Sequence, residues 1–190
     1  ILNIAPTFIY VVFWVGMAVA VVLFGNVWTV LDPWRAVADG AARAGSALGI
    51  VRSPRPYPAR VGVWPAIALL FGFVALELVY VDPADPRVLA VAILVYSVVT
   101  WSGMAMFGRD AWSRNGDGFA LYFHLLSRIA LFGTEVRAKR RVVVLRRPLS
   151  GLTFVDRRRG AVVFVSVMLG SVAFDGFSRS SWWQDRVYDL

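Results

Sequence analysis

The chain has no cysteine and only one histidine among its 190 residues. The first absence excludes a disulfide framework, a zinc–thiolate site and a cysteine nucleophile. The second excludes a multi-histidine metal centre built from this chain alone. A carboxylate-only site for Mg²⁺ or Ca²⁺ is left as the one formal metal option. No motif calls for it, and neither metal nor other cofactor is expected. A glycine-rich phosphate loop, a nucleophile elbow and a paired-histidine motif are all missing. No period of about 20–50 residues repeats, and no tract is of low complexity. No basic run precedes the first apolar segment, so no secretory leader is visible. Ile1, standing where a Met would begin a chain, reads as an internal residue of a longer polytopic protein.

Charge of one sign is also scarce. Twelve Asp and Glu stand against 20 Lys and Arg, a formal net charge of +8, in a chain that is 58% hydrophobic. Such a composition suits a protein housed in lipid with its charge gathered in loops. Four apolar runs carry this reading, over residues 4–24, 61–81, 88–107 and 160–177. The first is 21 residues without a charge, enough at about 1.5 Å per residue to match a hydrocarbon core of roughly 30 Å. The expected fold is an all-α integral membrane protein: one polytopic domain over 1–190 with about four transmembrane helices, one or two interfacial helices and a small basic hairpin. Residues 82–86 make a tight turn, which predicts that the second and third spans are antiparallel neighbours.

Between the spans, Asp32 followed by Pro33 is a helix start, an N-cap acceptor with proline at the first helical position. A surface helix is predicted over 32–48, with Arg35, Asp39 and Arg43 on one face. Residues 119–132 are apolar but too short to span, so the run is read as interfacial or buried against the bundle. The β-branched runs 142–145 and 152–155, around a turn at 148–151, suggest the hairpin. Small residues four apart at Ala68/Gly72 permit close helix contact.

Orientation follows from charge. With four spans, the two long loops share one side and carry 5 and 12 basic residues, whereas the other side has only Arg87, Arg179 and Arg186. Positive loops stay cytoplasmic, so both ends of the chain are expected outside a plasma membrane. Trp28, Trp34, Trp64 and Trp112 would mark the inner rim, and Tyr10, Tyr80, Trp182 and Trp183 the outer.

The candidate site is a polar cluster at the outer third of the bundle. A carboxylate at a helix centre costs about 2.5–3.5 kcal/mol to insert, and less near the interface. Glu77 lies four residues inside the end of its span, about 6 Å deep. Asp175, Arg87 and Arg179 fall at a similar level. The four form either a proton, ion or substrate site or a structural ion-pair cluster. His124 is either a ligand or base, or an interfacial side chain at headgroup level. A serine nucleophile with His124 as base stays open, without support from spacing. The basic loop of Arg137, Lys139, Arg140, Arg141, Arg146, Arg147, Arg157, Arg158 and Arg159 reads as a juxtamembrane surface for anionic lipid headgroups, each charge worth about 1 kcal/mol, rather than as a nucleic-acid site.

Several stretches, in order over most of the chain, resemble a known family: IAPTFIYVVFWVGMAVAVVLFGNVWTVLDPWRA, YPARVGVWPA, FGRDAW, SRIALFG and LGSVAFDGFSRSSWW. NVWTVLDPWRA and VAFDGFSRSSWW are the more specific. The chain is similar here to large actinobacterial membrane proteins known as fenitrothion hydrolases. The resemblance implies a longer membrane protein with further spans on both sides and hydrolysis of an organophosphate ester. It brings no catalytic residue to a position of this chain. Three functions follow as expectations: first a non-catalytic accessory or scaffold subunit among other membrane subunits, then a membrane hydrolase, then a small-solute or ion transporter using Glu77 and Asp175.

Overall fold

The computed structural model of the protein describes residues 4–50, 53–137, 140–145 and 158–188. The chain is mostly helical, and three helices are long and apolar enough to cross a membrane: α1 (Thr7–Phe24), α5 (Pro86–Phe107) and α8 (Ala161–Ser178). The first ten residues of α1, Thr7–Gly16, are wound as a π-helix before Met17–Phe24 continues as an α-helix. Two short helices follow. Trp28–Leu31 (α2) runs into Pro33–Ala47 (α3), and Asp32 is the cap between them. Its Oδ1 accepts from the backbone N–H groups of Trp34 (2.9 Å) and Arg35 (3.2 Å). Asp85 caps α5 in the same way, accepting from Arg87 N–H at 2.8 Å ahead of Pro86.

The second apolar run departs from expectation. It is helical only over Trp64–Leu78 (α4), 15 residues, or about 22 Å against a core of roughly 30 Å. The reason lies at its entrance. Gly62 has φ +54°, and a Cβ there would fall 2.3 Å from the Arg159 carbonyl oxygen. Two backbone strands cross too closely for any residue but glycine, and the helix begins only beyond the crossing. Val63 N–H donates across it to that same carbonyl at 2.9 Å. The expected helical hairpin is also opened. α4 packs on α7 and α8, and α5 packs on α3 and α6. The space between α4 and α5 is an apolar cleft of about 870 Å³ instead of an interface.

Beyond α5 come α6 (Arg109–Asn115) and α7 (Gly118–Leu126). The apolar run 119–132 therefore holds all but the first residue of a nine-residue helix, and Phe132 already belongs to a strand. A basic hairpin is present among the described residues. β1 (Phe132–Arg137) pairs antiparallel with β2 (Arg140–Leu145), Phe132 opposite Leu145. The run at 142–145 was expected to pair with 152–155, which lies outside the described residues. Only two residues separate β1 from β2, a short hairpin closure. Helix α9 (Ser181–Tyr188) follows α8.

The core is aromatic. Phe119 meets the rings of Phe13 (4.9 Å between centroids), Phe73 (5.0 Å) and Tyr96 (4.8 Å), which come from α1, α4 and α5. Trp14 stacks on Tyr122 at 4.6 Å. Such pairs contribute about 0.5–1.5 kcal/mol each beyond area burial, so α7 is the post around which the spans gather. The indole of Trp112 is clamped between Gly103 and Gly116, where an added Cβ would lie 2.2 Å and 2.6 Å from the ring.

Candidate polar site at the basic end of the bundle

The cluster expected from the sequence is partly assembled. Arg179 Nε lies 2.8 Å from Asp175 Oδ1, one helical turn away. Glu77 is half-buried and within electrostatic range of both. Arg87 is exposed and makes no ion pair with Glu77 or Asp175, and its backbone N–H serves the Asp85 cap instead. Three of the four residues thus gather, at the end of the helices where Tyr10 O–H donates to the Pro83 carbonyl at 2.9 Å.

Among the basic-loop residues, Lys139, Arg146, Arg147 and Arg157 lie outside the described residues. Of Arg137, Arg140 and Arg141 the backbone alone is described, within the hairpin. Arg158 turns inward: its Nη1 donates to Asn115 Oδ1 at 3.0 Å and to the Arg114 carbonyl. There it complements the C-terminal end of α6, where carbonyls lack helical partners. Arg159 is exposed and contributes its carbonyl to the crossing with Val63.

A different and better-built site lies at the opposite end. The two long connections are stitched there by Arg35 Nη2 donating to Asp110 Oδ1 at 3.0 Å, and by Arg109 donating to Asp39 and, through Nε at 3.1 Å, to Asp110. The face of α3 that carries Arg35 and Asp39 thus pairs with α6. The Arg109 guanidinium holds the Asp110 carboxyl below the usual range. These pairs are largely exposed, and each is worth at most about 1 kcal/mol.

Beneath them is a cavity of about 550 Å³. Asn26, Trp28, Thr29, Asp32 and Arg35 line it from the α1–α3 connection, Ser113 to Asn115 from α6, His124 and Arg128 from α7 and the turn after it, and Arg158 from the approach to α8. Four arginines and the only histidine therefore line one space. Arg128 Nη2 lies 3.3 Å from His124 Nε2, so His124 belongs to this cavity.

The cavity also has polar atoms that the fold leaves unpaired. Among its lining residues, Asn26 Oδ1, Trp28 Nε1, Asp32 Oδ2 and Ser113 Oγ are buried without a hydrogen-bond partner. Buried polar groups are nearly always satisfied, so several around one cavity mark where water or a polar guest belongs. Asp32 is 2% exposed. Burial, and then the nearby Asp117 carboxylate, push its pKa up to about 6. Asp117 stands behind the cavity, fully buried. Its Oδ1 accepts from Tyr96 O–H at 2.6 Å and from Ala120 N–H at 2.9 Å, capping α7. Burial raises its pKa as well.

Sequence reasoning did not single out this site. Its residues come from 26–35, 113–128 and 158, and no spacing links them. The sequence pointed to two of its residues singly, Asp32 as a helix cap and His124 as a candidate ligand or base, and a third signal went unread: Asp117 immediately before Gly118 and an apolar run is an N-cap pattern. Among the described residues, no three His, Cys, Asp or Glu side chains gather as a metal site. Compared with known proteins, the chain matches no family model, no curated protein and no solved structure.

Proposed function

We propose that the chain is a non-catalytic, multi-pass module of a larger plasma-membrane assembly, and that it holds an anionic group in the cavity at its basic end. The observation that carries this reading is the cavity itself, with Arg35, Arg114, Arg128 and Arg158 around buried, unpaired polar atoms. Arginine presents a fork of donors that matches phosphate and carboxylate. The buried acids nearby are committed to holding helices. Asp32 caps α3 and Asp117 caps α7, which favours a binding site over an acid–base pair.

A hydrolase is the second reading, and one observation favours it: Ser113, His124 and Asp32 line the same cavity. It stands second because Ser113 Oγ makes no hydrogen bond and His124 Nε2 is turned to Arg128, so nucleophile and base are not joined.

The test of anion binding is thermal unfolding of the detergent-purified protein with added glycerol 3-phosphate. Wild type is expected to be protected, and the Arg114→Gln/Arg128→Gln double variant to lose most of that protection. Equal behaviour of the two proteins would refute the reading.

The proposed orientation puts this end in the cytoplasm and rests on the 17-to-3 division of basic residues. That division requires 61–81 to carry the chain across although α4 is short, and the Arg35–Asp110 pair, which joins the connections on either side of α4 and α5, supports that return. The chain has no native cysteine, so single cysteines report cleanly. A membrane-impermeant maleimide added to intact cells should label Ala84→Cys and spare Arg43→Cys, and the reverse pattern would invert the topology.

A further inference from the structure

The polar cavity has an apolar neighbour. The cleft between α1, α4 and α5 runs from Ala5 to Met17 along α1. No charged side chain lines it. Both spaces fall within the roughly 300–1,000 Å³ of ligand sites. They meet at one side chain, for Trp28 lines both. The segment that follows alternates between them. Leu31, Pro33 and Trp34 face the cleft, whereas Thr29, Asp32 and Arg35 face the polar cavity. Helix α7 does the same, with Phe119 toward the cleft and His124 toward the cavity. This wall separates oil from charge just past the end of α1, where lipid headgroups would stand if α1 spans. Amphipathic Trp is the residue type enriched at that level.

Resting on the anion-binding reading above, we infer that the occupant is one molecule of an anionic glycerophospholipid, with its phosphate among the cavity arginines and its acyl chains in the cleft between α1, α4 and α5. The match is one of chemistry at both ends. A water-soluble anion leaves the cleft empty. A partner helix fills the cleft and leaves the unpaired polar atoms of the cavity unexplained. A lipid bearing a hydroxylated headgroup also brings donors that Asp32 Oδ2 and Asn26 Oδ1 lack within the fold. The small residues Ala68 and Gly72, expected to serve helix contact, instead line this cleft, and a Cβ at Gly72 would meet nothing within 4 Å.

That open space at Gly72 supplies the test. Gly72→Leu projects a side chain into the cleft without a clash and raises helix propensity, so it should fold. The full chain, purified in a neutral detergent, is titrated with dioleoyl phosphatidylglycerol, dioleoyl phosphatidylcholine or glycerol 3-phosphate. Bound lipid is counted by native mass spectrometry, and unfolding temperature is followed in parallel. Wild type is expected to retain one phosphatidylglycerol and to prefer it to phosphatidylcholine. Gly72→Leu should weaken retention about tenfold and keep the response to glycerol 3-phosphate. Arg114→Gln/Arg128→Gln should abolish the preference between the two lipids, a loss of about thirtyfold from two charges. Equal retention of both lipids by wild type, unchanged lipid binding by Gly72→Leu, or a protein oligomer that Gly72→Leu dissociates would each overturn the inference. If lipid retention fails while the arginine variant still loses glycerol 3-phosphate protection, the anion-binding reading survives alone. If glycerol 3-phosphate never protects wild type, both readings fall.

Discussion

Asp117→Ala is expected to cost about 3 kcal/mol or more, the largest loss from any single carboxylate among the described residues. Three effects combine. The Oδ1 atom caps α7 through Ala120 N–H, and removal of a cap costs about 1 kcal/mol. The same atom accepts the 2.6 Å hydrogen bond from Tyr96. Its loss leaves a buried hydroxyl without an acceptor, at about 1–3 kcal/mol. Tyr96 in turn accepts from Phe119 N–H at 3.2 Å, so the disturbance reaches the ring at the centre of the aromatic core. Asp117→Asn keeps an oxygen for both donors and should lose about 1 kcal/mol or less, as expected where burial already disfavours the charge. Tyr96→Phe should fall between the two. Because the two side chains share one bond, Tyr96→Phe/Asp117→Ala should cost less than the sum of the singles. Unfolding of the purified proteins in detergent measures all four. An Asp117→Ala protein as stable as wild type would mean that this bond does not hold α7 to α5.

The difference between what was legible in the sequence and what was not has a physical basis in these residues. α1, α5 and α8 could be read because each is a long run of apolar residues, and a helix that is apolar all round has few alternatives to lipid. The start of α3 was written in Asp32-Pro33. The length of α4 was not written anywhere local. Val61 and Val63 look like the beginning of a span, and only the crossing of Gly62 with Arg159, nearly a hundred residues away, stops the helix there. The pairing of α4 with α5 failed for a related reason. A short turn fixes where two helix ends lie, not whether the shafts touch. Here the aromatic rings on α7 draw α1 and α4 to themselves and hold α5 only through Tyr96, while the shaft of α5 packs on α3 and α6. The candidate site suffered most. Glu77 and Asp175 drew attention because charges in apolar runs stand out. Asp32, Ser113 and Arg158 sat in polar connections, where charge is unremarkable until tertiary structure buries it.

Asp32 is the buried group that makes the protein's stability respond to pH in a testable direction. Its pKa in the folded protein is about 6, against an ordinary value of 3.8. The folded state therefore holds a proton that the unfolded state has released throughout the interval between those values. The sign follows: stability rises as pH falls through 6 and levels off below the unfolded value, and at neutral pH the protein carries the full penalty of a buried anion. The gain from pH 7.5 to 5 is about 1 kcal/mol, approaching about 3 kcal/mol below the ordinary carboxylate range. Asp32→Asn removes the titration. It should preserve the cap, since Asn serves as well as Asp at that position. Asp117 is also buried with a raised pKa. The readout is accordingly the difference between wild type and Asp32→Asn at each pH, which isolates the part due to Asp32. Melting temperatures in detergent between pH 5 and 8 should show Asp32→Asn the more stable protein at pH 8, with the gap closing as the pH is lowered. Parallel curves across that range would show that Asp32 does not carry the pH response, and that the cavity around it admits enough water to solvate the charge.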